Sequence, residues 1–192
     1  MTTVPFRFDD APLLWTVPDV YDADECQEWI RIIEAGSPRI ATNNPVYRDQ
    51  DRVIRDDLAA ASTLFERLRK HLPERLGELS LGGLNERLRM YRYAPGQRFA
   101  PHMDHWYRPT DTRITLLTVL VYLNDDFEGG ETAFMEQLEE TVHPKPGLVA
   151  IFQHKIRHEG CPVRSGHKYA IRSDVYYDAP SPIEMDLSGA GS

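Results

Sequence analysis

Cysteine is almost absent from this chain. Cys26 and Cys161 are the only two, far apart and without metal-type spacing, so neither a disulfide framework nor a thiolate metal cluster is expected. Both are read as reduced structural thiols of an intracellular, cytoplasmic protein. Long apolar runs are missing as well, and none approaches the ~18 residues needed to cross a bilayer. The opening MTTVPFRFDD has no basic n-region and no apolar h-region, so no signal peptide and no membrane association are expected. Positive charge is in deficit: 22 Lys and Arg against 30 Asp and Glu give a net charge of −8. That balance counts against broad binding to a phosphate backbone, so nucleic acid is not an expected partner. No internal repeat is visible. With 192 residues, 41% apolar and 27% charged, the chain has room for one well-buried core but not for two full domains.

The first part of the chain, 1–83, reads as a helical support region of a single domain. Leu13 to Val17 is a strand candidate. Asp22 followed by Glu25 is a capping-box pattern, and Cys26, Trp29, Ile30 and Ile33 form the apolar stripe of the helix it opens. Gly36 stops that helix. Leu58, Leu64 and Leu68 mark a second helix, ended before Pro73. Between the two, Thr42 through Arg55 is polar and turn-rich and reads as a loop with short strands at most.

From Leu84 the apolar period changes to two. Leu84, Leu88 and Met90 alternate with Asn85, Arg87, Arg89, Tyr91 and Tyr93. Ile114 to Leu123, Leu148 to Phe152 and Lys168 to Tyr177 have the same habit and are separated by Pro-Gly and Ser-Gly turns. Strands following helices at short spacing predict a mostly β fold, an antiparallel sandwich or jelly roll with helices outside. The core of the domain is expected over 84–178. The tail 179–192, rich in Pro, Ser and Gly, is expected to be mobile.

The chemistry sits in this second part. His102 and Asp104 are at i and i+2, which on a strand points both side chains to one face. His158 lies 56 residues on, beside another turn. Two imidazoles and one carboxylate form a facial set that leaves three positions of an octahedral ion open, which suits non-haem Fe(II) and dioxygen. A bare His-x-Asp is weak evidence, and a solvated or core histidine is the commoner outcome. The other histidines fit the set less well. His154 and His158 have i, i+4 spacing, but Gly160 and Pro162 argue against a helix there. His105 faces away from Asp104, and His71, His143 and His167 border turns or helix ends. All five are left out of the metal site.

Lys168, ten residues past His158, sharpens the reading. Its strand splits by parity, with Tyr169, Ile171, Val175 and Tyr177 on an apolar face and Lys168, Ala170, Arg172 and Asp174 on the other. A cation aimed into a partly dry cavity favours a bound carboxylate. Tyr93, on the polar face of its own strand, offers a hydroxyl to the same anion. A metal triad beside such an anchor points to an iron- and 2-oxoglutarate-dependent oxygenase.

On these residues the chain resembles the prolyl 4-hydroxylase-like branch of the Fe(II)/2-oxoglutarate-dependent dioxygenases. The matching stretches are Tyr93-Ala-Pro-Gly-Gln-Arg-Phe-Ala-Pro-His102-Met-Asp104, Thr118-Val-Leu-Val-Tyr-Leu-Asn124, Glu128-Gly-Gly-Glu-Thr132 and His158-Glu-Gly-Cys-Pro-Val-Arg-Ser-Gly-His-Lys168. The resemblance implies a double-stranded β-helix (jelly roll) with the N-terminal helices on its major sheet. It implies Fe(II) on His102, Asp104 and His158, and 2-oxoglutarate on Lys168 with help from Tyr93 and Thr132. Leu120 and Tyr122 would line that pocket. Dioxygen would be the oxidant, ascorbate an accessory reductant, and no protein catalytic group beyond the metal ligands would be needed. Relatives often place arginine at the Lys168 position, so Arg172 is an alternative anchor.

Collagen-type relatives carry an arginine just before the strand threonine, where this chain has Thr115 and, two residues earlier, Arg113. A prolyl peptide is therefore only one of the expected substrates, beside a small molecule. Arg113, Trp106 and Arg172 are the substrate-side candidates. Arg48–Arg55 and His105–Thr110 read as loops at the mouth, whose arginines and aromatics suit a partly polar or anionic substrate. Two rival classes remain open at this point: a zinc-dependent hydrolase, which would leave Lys168 unexplained, and a catalytically silent jelly-roll binding module.

Overall fold

The computed structural model of the chain describes residues 1–40 and 47–187. Most of the described backbone is β. The large sheet runs in the order Leu14–Val17, Val149–Gln153, Arg113–Tyr122, Lys168–Asp178, Arg87–Tyr93, Asp51–Asp56 and Arg39–Ile40, with Leu79–Leu84 also pairing along Lys168–Asp178. Its pairs are antiparallel. The smaller sheet has four strands, ordered Glu140–Val142, Thr132–Phe134, His158–Gly160 and Phe99–His102.

Period-two alternation explains the layering. In Arg113–Tyr122, Leu117, Val119 and Val121 share one buried cluster with Cys26 and Ile33 of helix α1 (Ala23–Ala35) and Ala61, Leu64 and Leu68 of helix α2 (Leu58–Leu68). Tyr122 of the same strand joins Phe134, Ala150, Phe152 and Ala170 in a second cluster, built from both sheets. One strand thus serves two cores because its side chains alternate. Burying each leucine of such a cluster stabilises the fold by roughly 1.5–3 kcal/mol.

Both helices begin as the sequence predicts. The Asp22 side chain accepts from the Glu25 N–H while Glu25 accepts from the Asp22 N–H, and the Asp57 side chain caps α2 through the Ala60 N–H. Gly36 ends α1 as expected, without the left-handed conformation that glycine often supplies at a helix end. Its φ is −72°, and Ser37 takes the positive φ of 50°. A Cβ on Gly36 would come within 2.9 Å of Val53, so close approach explains the glycine.

Two further expectations change. Within the stretch read as a loop, 41–46 lie outside the described residues, but Asp51–Asp56 is a strand paired with Arg87–Tyr93. Its polar composition hid it. The charges serve the pairing, with Arg92 2.7 Å from Asp51 and Arg87 3.0 Å from Asp56 across the two strands. The tail expected to be mobile is anchored as far as Met185, because Ile183–Met185 pairs in parallel with Thr2–Val4 and buries Ile183. Residues 188–192 lie outside the described set. Residues 1–83 therefore supply strands as well as helices. Among the described residues, no helix is long and apolar enough to cross a membrane.

Candidate metal centre and cosubstrate cavity

One cleft of about 430 Å³ lies between the two sheets. The smaller sheet contributes Phe99, His102, Thr132, His158 and Gly160 to its walls, and the larger contributes Tyr91, Tyr93, Thr118, Leu120, Lys168 and Arg172 among others. His102 and His158 stand directly opposite each other in the antiparallel pair of their strands. Asp104 lies two residues past the end of the His102 strand rather than on it. Its backbone N–H donates to His154 O at 2.8 Å, and Lys155 Nζ donates to its carbonyl at 2.7 Å, so the turn is held from both sides.

The donor atoms of His102, Asp104 and His158 lie within 4.8 Å of one another, and all three residues are buried. His102 Nδ1 is 2.8 Å from Ala100 O and His158 Nδ1 is 2.9 Å from Ile156 O. A ring nitrogen facing a carbonyl must carry the proton, so each Nε2 is left with its lone pair. Both Nε2 atoms face Asp104, at 3.7 and 3.9 Å from its two oxygens. Burial lowers the pKa of both imidazoles, that of His102 to about 3 with the neighbouring His158 adding to it, so both are neutral donors. Burial pushes the Asp104 carboxyl up, but the surrounding positive charges, that of Arg172 first among them, together outweigh it and hold the carboxyl well below the usual carboxylate range, so Asp104 is ionised. Two neutral nitrogens and one anionic oxygen, with no thiolate, fit a divalent iron.

The surroundings fix these donors. Phe99 stacks on His102 with ring centres 3.5 Å apart, and Phe134 and Phe152 flank His158. Thr118 Oγ1 donates to Asp104 Oδ2 at 2.5 Å, and Arg172 Nη1 lies 2.8 Å from Asp104 Oδ1. Arg172 also reaches Asp174 at 3.0 Å, and Asp174 is 2.8 Å from Arg89. His154 is fully buried beside Asp174, 3.5 Å away but without an aligned hydrogen bond.

Lys168 enters the same cavity four residues before Arg172. It is 2% exposed, and its Nζ donates to Gly130 O at 2.6 Å. Among the described residues it has no ion-pair partner. Burial lowers its pKa to about 8, with Cys161 and Glu131 opposing the shift. Its ammonium lies 5.1 Å from the centre of the Tyr93 ring and 5.4 Å from that of Tyr122. Tyr122 does not line the cavity. It stands behind, donating its hydroxyl to Thr132 Oγ1 at 2.7 Å and so orienting the residue that does. Leu120 and Tyr93 are in the wall as expected.

The substrate-side candidates separate. Arg172 is in the cavity, held by two carboxylates. Arg113 pairs instead with Asp178 at 2.6 Å, and Trp106 packs edge-on against Phe6 with Lys155 Nζ 4.0 Å from its ring centre. Neither lines the cavity. Sequence reasoning gives no role to Thr118 or Asp174, and it leaves His154 out of the metal site, where the structure does not place it either. Parity carried a signal for each, since Thr118 shares a face with Leu120, Asp174 with Lys168 and Arg172, and His154 follows Phe152 by two.

Residues 88–173 match the family model of the 2OG-Fe(II) oxygenase superfamily. That match covers a little under half of the chain. Among curated proteins, the probable prolyl 4-hydroxylase 11 of Arabidopsis thaliana is 37% identical over 73 residues, which cover 35% of this chain and 24% of that protein. The match therefore spans about a quarter of that relative's length. Two solved structures share the fold. The viral collagen prolyl hydroxylase of Paramecium Bursaria Chlorella virus-1 superposes with TM-score 0.67 at 22% identity, covering 88% of this chain and 98% of that one. A Pseudomonas putida prolyl-4-hydroxylase gives TM-score 0.66 at 18% identity, covering 84% and 91%.

Proposed function

We propose that this protein is an Fe(II)- and 2-oxoglutarate-dependent oxygenase that hydroxylates an unactivated C–H bond of a small molecule or a peptidyl residue. The observation that carries the reading is one cavity holding both a neutral-histidine and carboxylate triad and a buried lysine aimed beside it. The two sheets then correspond to a double-stranded β-helix whose larger sheet is braced by α1 and α2, with 84–178 as the catalytic core. Similarity to prolyl hydroxylases makes a prolyl residue one candidate substrate.

His102 Nε2, His158 Nε2 and Asp104 would hold the iron. Iron with 2-oxoglutarate and dioxygen supplies the oxidation, yielding succinate, carbon dioxide and the hydroxylated product. Lys168 pairs with the distal carboxylate of 2-oxoglutarate, a contact strengthened by its dry surroundings. Tyr93 and Thr132 offer hydroxyls to the same end, while Leu120 gives an apolar wall to the methylenes. Carbonyls at Ala100 and Ile156 keep both histidines in the liganding tautomer, as partners behind a metal ligand do. Ascorbate would serve as an accessory reductant.

A screen of metabolites and peptides for substrate-stimulated succinate release tests the proposal. Succinate should form only with Fe(II), 2-oxoglutarate and dioxygen together, and His158→Ala should abolish it. Full turnover by His158→Ala, or turnover that ignores dioxygen, would refute the reading.

A further inference from the structure

One hydroxyl in the cavity wall is left without a partner. Tyr91 lines the cavity and is 2% exposed, and among the described residues its hydroxyl makes no hydrogen bond. Two other hydroxyls of the same wall are held by neighbours: Thr118 Oγ1 donates to Asp104, and Thr132 Oγ1 accepts from Tyr122. The Tyr91 ring is itself well packed, in one buried cluster with Tyr93, Phe99 and Val163. A phenylalanine would fill that place without burying an unpaired hydroxyl, which is a cost in a folded protein. Buried polar atoms almost always find partners, so an orphan in a cavity wall marks a group that a ligand completes.

The strand register indicates which ligand fits. Lys168 stands opposite Tyr93 and Ala170 opposite Tyr91, and Arg172 follows two residues on, so all share one face. Lys168, Ala170, Tyr91 and Arg172 all line the cavity. Arg172 is paired with Asp104 of the triad. Tyr91 therefore lies one step from the lysine on the way to the metal ligands, beside the small side chain of Ala170, which leaves room between the two sheets. That step of two residues is about 6.6 Å along a strand. An extended five-carbon diacid has its carboxyl carbons about 5 Å apart, four C–C bonds of about 1.5 Å in zigzag. A molecule of that length held by Lys168 at one carboxylate brings its other end level with Tyr91. Arg172 Nε, also buried and unpaired among the described residues, is a second donor just beyond.

Resting on the oxygenase reading, we infer that Tyr91 is a further cosubstrate-binding residue, whose hydroxyl donates to the 2-oxo acid end of 2-oxoglutarate. Lys168 and Tyr91 then hold opposite ends of one molecule, the lysine by charge and the tyrosine by a directed hydrogen bond. The tyrosine fixes the end that must face the triad, which a single cation at the far carboxylate leaves free to swing.

Calorimetric titration of 2-oxoglutarate into Mn(II)-saturated protein tests this, with the native chain, Tyr91→Phe, Lys168→Ala and the double variant side by side. Tyr91→Phe should weaken 2-oxoglutarate binding about tenfold to a hundredfold, the range for one hydrogen bond to a charged group, without changing Mn(II) affinity. Without ligands it should unfold at the same denaturant concentration as the native chain or a higher one, because no protein partner is lost. The double variant should bind more weakly than Lys168→Ala by the same factor, as independent contacts at opposite ends of a ligand do. Equal 2-oxoglutarate affinity in the native chain and Tyr91→Phe would overturn the inference and leave the hydroxyl to the primary substrate. A Tyr91→Phe loss that disappears once Lys168 is gone would also overturn it, since the hydroxyl would then serve the distal carboxylate. So would a ligand-free Tyr91→Phe protein clearly less stable than the native one, which would make the hydroxyl structural. Native protein that binds Mn(II) but no 2-oxoglutarate would refute the oxygenase reading itself, a result distinct from all of these.

Discussion

Among the described residues Lys168 and Arg172 are the two cations in the cavity wall, and exchanging either for alanine should damage different things. Lys168 is buried, lacks an ion-pair partner among the described residues, and is available to a dicarboxylate. Removing one partner of a buried pair leaves the other charge desolvated and costs about 3–5 kcal/mol. At ~1.4 kcal/mol per decade, Lys168→Ala should weaken 2-oxoglutarate binding on the order of a hundredfold or more, with metal affinity little changed. Arg172 is instead committed to Asp104 and Asp174, at 2.8 and 3.0 Å. Arg172→Ala leaves Asp104 without its cation and Asp174 with Arg89 alone. The protein without ligands should lose about 3–5 kcal/mol of stability, and metal affinity should fall by about tenfold to a hundredfold as Asp104 loses its orientation. Denaturant unfolding of the metal-free protein, Mn(II) titration, and 2-oxoglutarate titration into Mn(II)-saturated protein read the three effects separately. If Arg172→Ala cost more 2-oxoglutarate affinity than Lys168→Ala, the anchor would be Arg172 and the reasoning from their partners would be wrong.

Lys168 also sets a pH dependence. Its pKa is lowered to about 8, and only the charged form pairs with a carboxylate, so binding above pH 8 must be coupled to proton uptake. The 2-oxoglutarate affinity should be flat below that pH and fall by up to about tenfold per unit above it; an affinity flat to pH 10 would contradict this. Thr118→Val removes the hydroxyl that donates to Asp104 while keeping the shape. It should weaken metal binding by about 1.5–3 kcal/mol, the range for a hydrogen bond to a charged group, and Mn(II) affinity unchanged from the native chain would show that Thr118 does not position the ligand.

Much of this site was legible because strand parity is simple. Once the Lys168 strand was read, Lys168, Ala170 and Arg172 had to share a face, and the structure puts all three in one cavity. His102 and Asp104 were found by the same rule, although the strand ends at His102 and a turn positions Asp104. The helices were legible from caps and apolar stripes. What stayed hidden depends on pairing across long separations. Asp51–Asp56 is polar enough to read as a loop, and only Arg92 and Arg87 on the partner strand explain its charges. Ile183–Met185 is a strand only because Thr2–Val4 lies beside it. The sequence could nominate Arg113 and Trp106 near the mouth, but not that Asp178 and Lys155 already engage them.

The central claim is that one cavity holds iron and 2-oxoglutarate together. Anaerobic addition of Fe(II) and 2-oxoglutarate to the purified protein, followed by visible absorption, tests this most directly. A weak charge-transfer band from the iron chelate should appear and saturate at one Fe(II) per chain. The band should be lost in His158→Ala, and in Lys168→Ala it should demand far more 2-oxoglutarate. A native protein that binds Fe(II) at this triad yet shows no band at any 2-oxoglutarate concentration would contradict the account.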